Sequence, residues 1–216
     1  MKKTASWIIG TILKCLLFAF VFMLVFGYIF GFRASLVVGD SSEPKISKYS
    51  MVLDYHCSYD ELKVGDYITF KTSDSGKVQY TTHQIVYIAP KGEYIEAGST
   101  VRFEHCGMKF ERTVDSRCQI LTMLTNPKSI ADVKKGYDEW KQLPENQGDD
   151  AYYTSGPLLD KVNYSQLLGK VIYSFSNLGK FLFFLRNNFL QIIVYAIIFY
   201  IAVRFTKFET DYERAY

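Results

Sequence analysis

The chain has 216 residues with 25 Lys+Arg against 22 Asp+Glu, a net charge of +3 and 49% hydrophobic residues. That length holds one domain plus extras, and so small a positive charge excludes a nucleic-acid binder. The hydrophobic residues are concentrated at the two ends, which excludes a uniformly water-facing chain.

From Cys15 to Phe32 the run CLLFAFVFMLVFGYIFGF carries no charge. Its eighteen residues, at about 1.5 Å each, nearly cross a ~30 Å hydrocarbon core. It exceeds the apolar region of a cleaved leader, so a retained anchor over residues 7–32 is expected. Lys2 and Lys3 keep residues 1–6 cytoplasmic. A second apolar run, Asn187 to Val203, is bracketed by Arg186 and Arg204. It is short, at ~25 Å if helical, and snorkelling basic residues make up the difference. The expected layout is an extracytoplasmic domain over 33–186, a return span over 187–206 and a cytoplasmic tail over 207–216. The multi-pass chain then sits in the cell membrane with the bilayer as its first partner.

Within the outer domain, MVLDY (Met51 to Tyr55) alternates as a strand, and Gly65-Asp66 marks a turn. YITFK (Tyr67 to Lys71) is the next strand, and the β-rich run Val78 to Ala89 follows after SDSGK. A turn at Lys91-Gly92 leads into a further strand. Short strands at this spacing predict a mainly β, antiparallel domain. Between Pro127 and Pro144 the period changes: Ile130, Val133, Tyr137 and Trp140 fall on one helical face, and Ser129 with Asp132 resembles a capping box. Of the cysteines, Cys57, Cys106 and Cys118 lie in this domain without C-x-x-C spacing, so neither a zinc site nor another metal or cofactor motif is expected. An oxidising compartment would allow a Cys106–Cys118 loop, leaving Cys57 free.

Histidine and serine chemistry needs a pair, because a serine hydroxyl becomes nucleophilic only when a neighbouring base accepts its proton. VVGDSSEPKI (Val37 to Ile46) resembles the serine box of type I signal peptidases, written along the lines of G-S-M-E-P-T-I. DELKVGDYITFK resembles the family's following K-x-G-D-x-I-x-F box, and TTHQIVYI its T-H-R-I-V box. LLGKVIYSFSNLGKFLFFLR, Leu167 to Arg186, resembles the closing G-K-V strand and membrane return. A histidine at the base position is similar to the ER-type branch, which includes the W-type enzymes of Gram-positive bacteria.

The resemblance implies an antiparallel β peptidase domain with an inserted helical segment at about 99–147, flanked by two transmembrane helices. It implies Ser41 as nucleophile and His83 as general base, with no cofactor. Its partners would be signal-peptide-bearing preproteins and an export translocon. Ser41 lies nine residues beyond Phe32, within about 30 Å of the span's end even when extended. The family's acidic loop matches in two places. Gly148-Asp149-Asp150 offers Asp149, with Asp150 as substitute, whereas IEAGST offers Ser99 after Gly98 and no aspartate. Gly39 stands where the family often has an oxyanion-binding serine, and Asp40, Ser42 and Gln84 also differ from its pattern. Those differences motivate an alternative reading, a catalytically weak or inactive relative that acts as a binding or assembly partner in secretion or surface-structure formation.

Overall fold

The computed structural model describes residues 2–74, 77–148, 151–155, 159–191 and 193–201. It is mainly β with antiparallel sheets and a few helices, as the strand spacing predicts. Helix α1 spans Lys2–Ile29 and strand β1 Phe32–Leu36; they are followed by β2 (Met51–Tyr55), β3 (Tyr67–Asp74) and β4 (Lys77–Ile88). A hairpin, β5 (Thr100–His105) and β6 (Met108–Thr113), precedes β7 (Ile120–Met123) and α2 (Pro127–Lys141). β8 (Leu159–Val162), β9 (Leu167–Phe175) and α3 (Ser176–Asn187) complete the order.

One seven-stranded sheet runs β1-β2-β9-β3-β4-β7-β8, and the hairpin β5–β6 is a separate two-stranded sheet. β7 has four residues, all buried, because both faces of the sheet are covered there. On one face Ile68, Phe70, Ile85, Ile120 and Val162 form a core with Cys57 and Leu62. On the other, Val86, Leu121 and Met123 meet Phe103, Met108 and Phe110 of the hairpin and Tyr137 of α2. Tyr153 ties hairpin to helix: its backbone bonds Lys109 O and Glu111 N, and its ring lies 5.4 Å from that of Trp140. Each large apolar side chain buried this way contributes about 1.5–3 kcal/mol.

Several sequence expectations shift here. Phe32, expected to close the apolar helix, lies beyond the end of α1 and is the first residue of β1, paired with Tyr55. The segment 99–147 is divided, since its hairpin and α2 cover the sheet while its β7 is a member of it. After the Lys91-Gly92 turn there is only a bridge from Ile95 to Cys118. α2 is capped not by Ser129 but by Asn126, whose Oδ1 accepts from the N–H groups of Lys128 and Ser129. Pro127 explains the choice: proline is favoured in the first helical position, where its missing N–H costs nothing. Cys106 and Cys118 are both free, the first exposed in the hairpin turn, the second buried in the core. Burial pushes the Cys118 thiol up to about 11, so it stays protonated and inert at neutral pH.

Counted over the described residues, no single helix is long and apolar enough to cross a membrane. A bent pair, Ser176–Asn187 and Phe189–Ile201 at 69°, meets the requirement together. The break between the two helices, at Asn188, falls just inside the segment 187–206 expected to return through the membrane.

Candidate active site

Residues 37–50 form a loop clasped at its base, where Val37 N donates to Ser50 O (2.9 Å) and Tyr49 N to Val37 O (2.7 Å). Two turns inside it, Glu43 N to Asp40 O and Ile46 N to Ser42 O, bury Ile46 and fix where the two serines face. Ser42 is fully buried and its hydroxyl donates to Thr82 O of β4. It is therefore committed to the fold. Ser41 is only half-buried, and its hydroxyl has no hydrogen-bond partner among the described residues. The backbone at Ser41 is anchored from its carbonyl, which accepts from Thr125 N at 2.7 Å. Asn126 Nδ2 donates to Asp40 O at 3.0 Å, so the residues after β7 hold the loop from the far side.

His83 lies on β4 opposite Ile68, with its ring edge-on to Phe70 at 6.2 Å. Its Nδ1 is 2.5 Å from Oδ2 of Asp160. β7 stands between the two strands, and Thr122 on it is opposite both Ile85 of β4 and Asp160 of β8. All three therefore share the His83 face, and Thr122 is small enough for the carboxylate to reach across. The Thr122 hydroxyl donates to the same oxygen at 3.3 Å. An ionised carboxylate only accepts, so a neutral His83 ring bonded this way carries its proton on Nδ1 and its lone pair on Nε2. That is the tautomer a general base requires.

Asp149 and Asp150 lie outside the described residues; the acid found at His83 is Asp160, which sequence reasoning missed. Its signal was faint: one acid inside a short β-forming run, LLDKV, just ahead of the LLGKV strand. Ser99, the other match to the acidic loop, closes a turn with Glu96 and precedes the hairpin. His105 is buried behind the serine loop with Nε2 3.2 Å from Leu124 O. Burial holds its pKa below the usual histidine range, against a smaller opposing effect from that bond, which suits a structural neutral ring.

The serine loop and His83 meet through the Ser42–Thr82 bond, one residue from each catalytic candidate. Ser41 and His83 share no hydrogen bond in this state. Unliganded catalytic pairs are often loose and tighten only around substrate. Among the described residues the Ser41 N–H donates to no backbone acceptor, whereas Ser42 is fully buried and has no surface to offer a ligand. At Gly39 an added Cβ would stand 3.8 Å from Ser41 Oγ, ordinary contact distance. Gly39→Ser is therefore expected to fit and to supply the missing hydroxyl donor. One such donor is worth on the order of 10²–10³ in rate elsewhere, and a gain of about tenfold in kcat is expected here. Steady-state cleavage of a precursor by the two proteins checks it, and an unchanged or lower kcat would count against an oxyanion site at that position.

No family model matches the chain, and no curated protein or solved structure matches it either.

Proposed function

We propose that the chain is a membrane-bound serine endopeptidase that removes signal peptides from exported preproteins. The observation that carries this reading is the His83 Nδ1–Asp160 bond, which frees Nε2 on the strand against which the Ser41 loop is pinned. Ser41 Oγ attacks the peptide carbonyl while His83 Nε2 takes its proton. Collapse of the tetrahedral intermediate breaks the C–N bond, and the imidazolium returns the proton to the departing amine. Water, deprotonated by the same nitrogen, then attacks the ester and releases the signal peptide with Ser41 restored.

The membrane part of the proposal rests on the ends of the chain. Helix α1 has 28 residues but does not meet the requirements of a span by itself. Its Leu16, Phe18, Phe22 and Phe26 stand exposed around the helix, which suits lipid rather than water. β1 starts three residues after Ile29, so the domain is tethered close to the bilayer, where a signal peptide's cleavage site emerges. The bent C-terminal pair would place α3 along the interface and turn Phe189–Ile201 into the bilayer.

Reconstitution in vesicles with a signal-bearing precursor tests the chemistry. Ser41→Ala and His83→Ala are each expected to abolish processing within detection, about 10³-fold or more. Ser42→Ala should act through stability instead, because that hydroxyl is spent on Thr82 O. Processing that survives Ser41→Ala ends the nucleophile assignment. The open Ser41–His83 gap and the glycine at 39 favour the second reading, a non-cleaving relative that binds secretion or surface-assembly partners. Wild type inert toward several precursors, with the precursor still bound, would establish it.

A further inference from the structure

Asp54 has no exposed surface although it is a carboxylic acid, and among the described residues its hydrogen-bond donors are hydroxyls rather than basic groups. Ser35 Oγ of β1 donates to its Oδ2 at 2.8 Å, and Thr69 Oγ1 of β3 to its Oδ1 at 2.9 Å. Thr69 Oγ1 also lies 3.0 Å from Thr82 Oγ1 of β4. A hydroxyl has one proton, and Thr69 gives its own to Asp54, so Thr82 is the donor of the last bond.

β9 lies between β2 and β3, and Gly169 is where the chain of bonds crosses it. A Cβ at that position would stand 2.8 Å from Tyr55 O and 3.1 Å from Asp54 Cβ. The missing side chain is what lets the acid lie over the strand. Thr82 ends the chain: its side chain belongs to the buried network, its carbonyl takes the Ser42 proton, and its neighbour is His83.

Burying an acid is costly, and apolar residues of the same shape would fill this layer at no such cost. Burial raises the Asp54 carboxyl above its usual range, opposed by its two hydroxyl donors and by the more distant Arg33 charge. An arrangement with that penalty is best explained by what it fixes. We infer that Asp54, acting through Thr69 and Thr82, is a positioning residue that sets the Ser41 loop against His83. The inference rests on the peptidase reading for its kinetic consequence, but not for its structural one.

The test uses the full chain in detergent with a signal-bearing precursor. Thr69→Val keeps the shape and cuts the chain of bonds. It is expected to lower kcat about 10- to 100-fold while KM stays within about twofold, since misplacement rather than binding is at stake. Thr69→Ser restores the hydroxyl and should recover most of kcat. Hydrogen–deuterium exchange at residues 38–46 should be faster in Thr69→Val than in wild type or Thr69→Ser. A folded Thr69→Val with wild-type kcat overturns the inference, as does failure of Thr69→Ser to rescue. If Thr69→Val does not fold, Thr82→Val breaks the same link and carries the same expectations. Should wild type cleave nothing, exchange decides alone. Faster exchange in the serine loop upholds positioning while the peptidase reading fails; unchanged exchange overturns positioning.

Discussion

Asp160→Asn is expected to lower kcat by about 10²–10⁴-fold with little change in KM. The substitution is nearly isosteric, so β8 should keep its register opposite Thr122. What changes is the proton. An asparagine amide can turn its Nδ2 toward His83 Nδ1, and the imidazole then carries its hydrogen on Nε2. In that tautomer the ring cannot accept from Ser41. The carboxylate's second role, stabilising the imidazolium formed during attack, is lost as well. Asp160 is 34% exposed and the His83 ring 12%, so water can replace part of that charge, which places the effect below that of a fully buried acid. Kinetics on the reconstituted protein, with circular dichroism to show the fold intact, check the expectation. The informative comparison is Asp149→Asn: if it costs the 10²–10⁴-fold expected of Asp160→Asn while Asp160→Asn itself is mild, the acid was assigned to the wrong loop.

Local periodicity explains which elements were legible. β2 runs from Met51 to Tyr55 as its alternation predicts, and β3 and α2 start at or near the expected residues. In each the pattern is set by neighbours two, three or four positions away. The hairpin β5–β6 was equally open to view, since TVRFEH buries every second residue and Cys106-Gly107 turns with positive φ at both positions. The hairpin matches none of the signal peptidase boxes, so this alternation is its mark in the sequence. β1 was hidden differently: its first residue, Phe32, closes the uncharged run, and only its pairing with β2 marks it as strand.

The site divides along the same line. Ser41 and His83 lie in short boxes whose resemblance needs no three-dimensional information. Asp160 is 77 residues from His83, and its place depends on the register of β8 against β7 and of β7 against β4. No spacing along the chain encodes those registers. The same holds for Thr125 and Asn126, whose grip on the serine loop spans more than 80 residues. The serine doublet was ambiguous until burial separated it. Ser42 is buried and bonded to Thr82 O, while Ser41 is half-buried.

Gly179→Ala is expected to lower the melting temperature by about 6–12 °C, which for a chain of this size corresponds to roughly 3 kcal/mol. Gly179 lies in the first turn of α3, where alanine would ordinarily stabilise a helix by about 1 kcal/mol. Packing opposes propensity here. An added Cβ would come 2.1 Å from Tyr49 O, 2.3 Å from Met51 N and 2.5 Å from Ser50 C. All three are backbone atoms, so no rotamer change relieves the overlap. Either α3 lifts away, losing the stack of Tyr49 on Phe183 at 4.2 Å, or the 49–51 segment moves. That segment holds half of the clasp that closes the serine loop, through Tyr49 N and Ser50 O. Tyr49 already sits at φ 60, in the left-handed region, and has little room to yield. Cleavage should therefore fall together with stability. Thermal melts in detergent decide between the two effects: a lower melting temperature means that backbone contact governs this position, and a higher one means that α3 does not pack on the base of the loop.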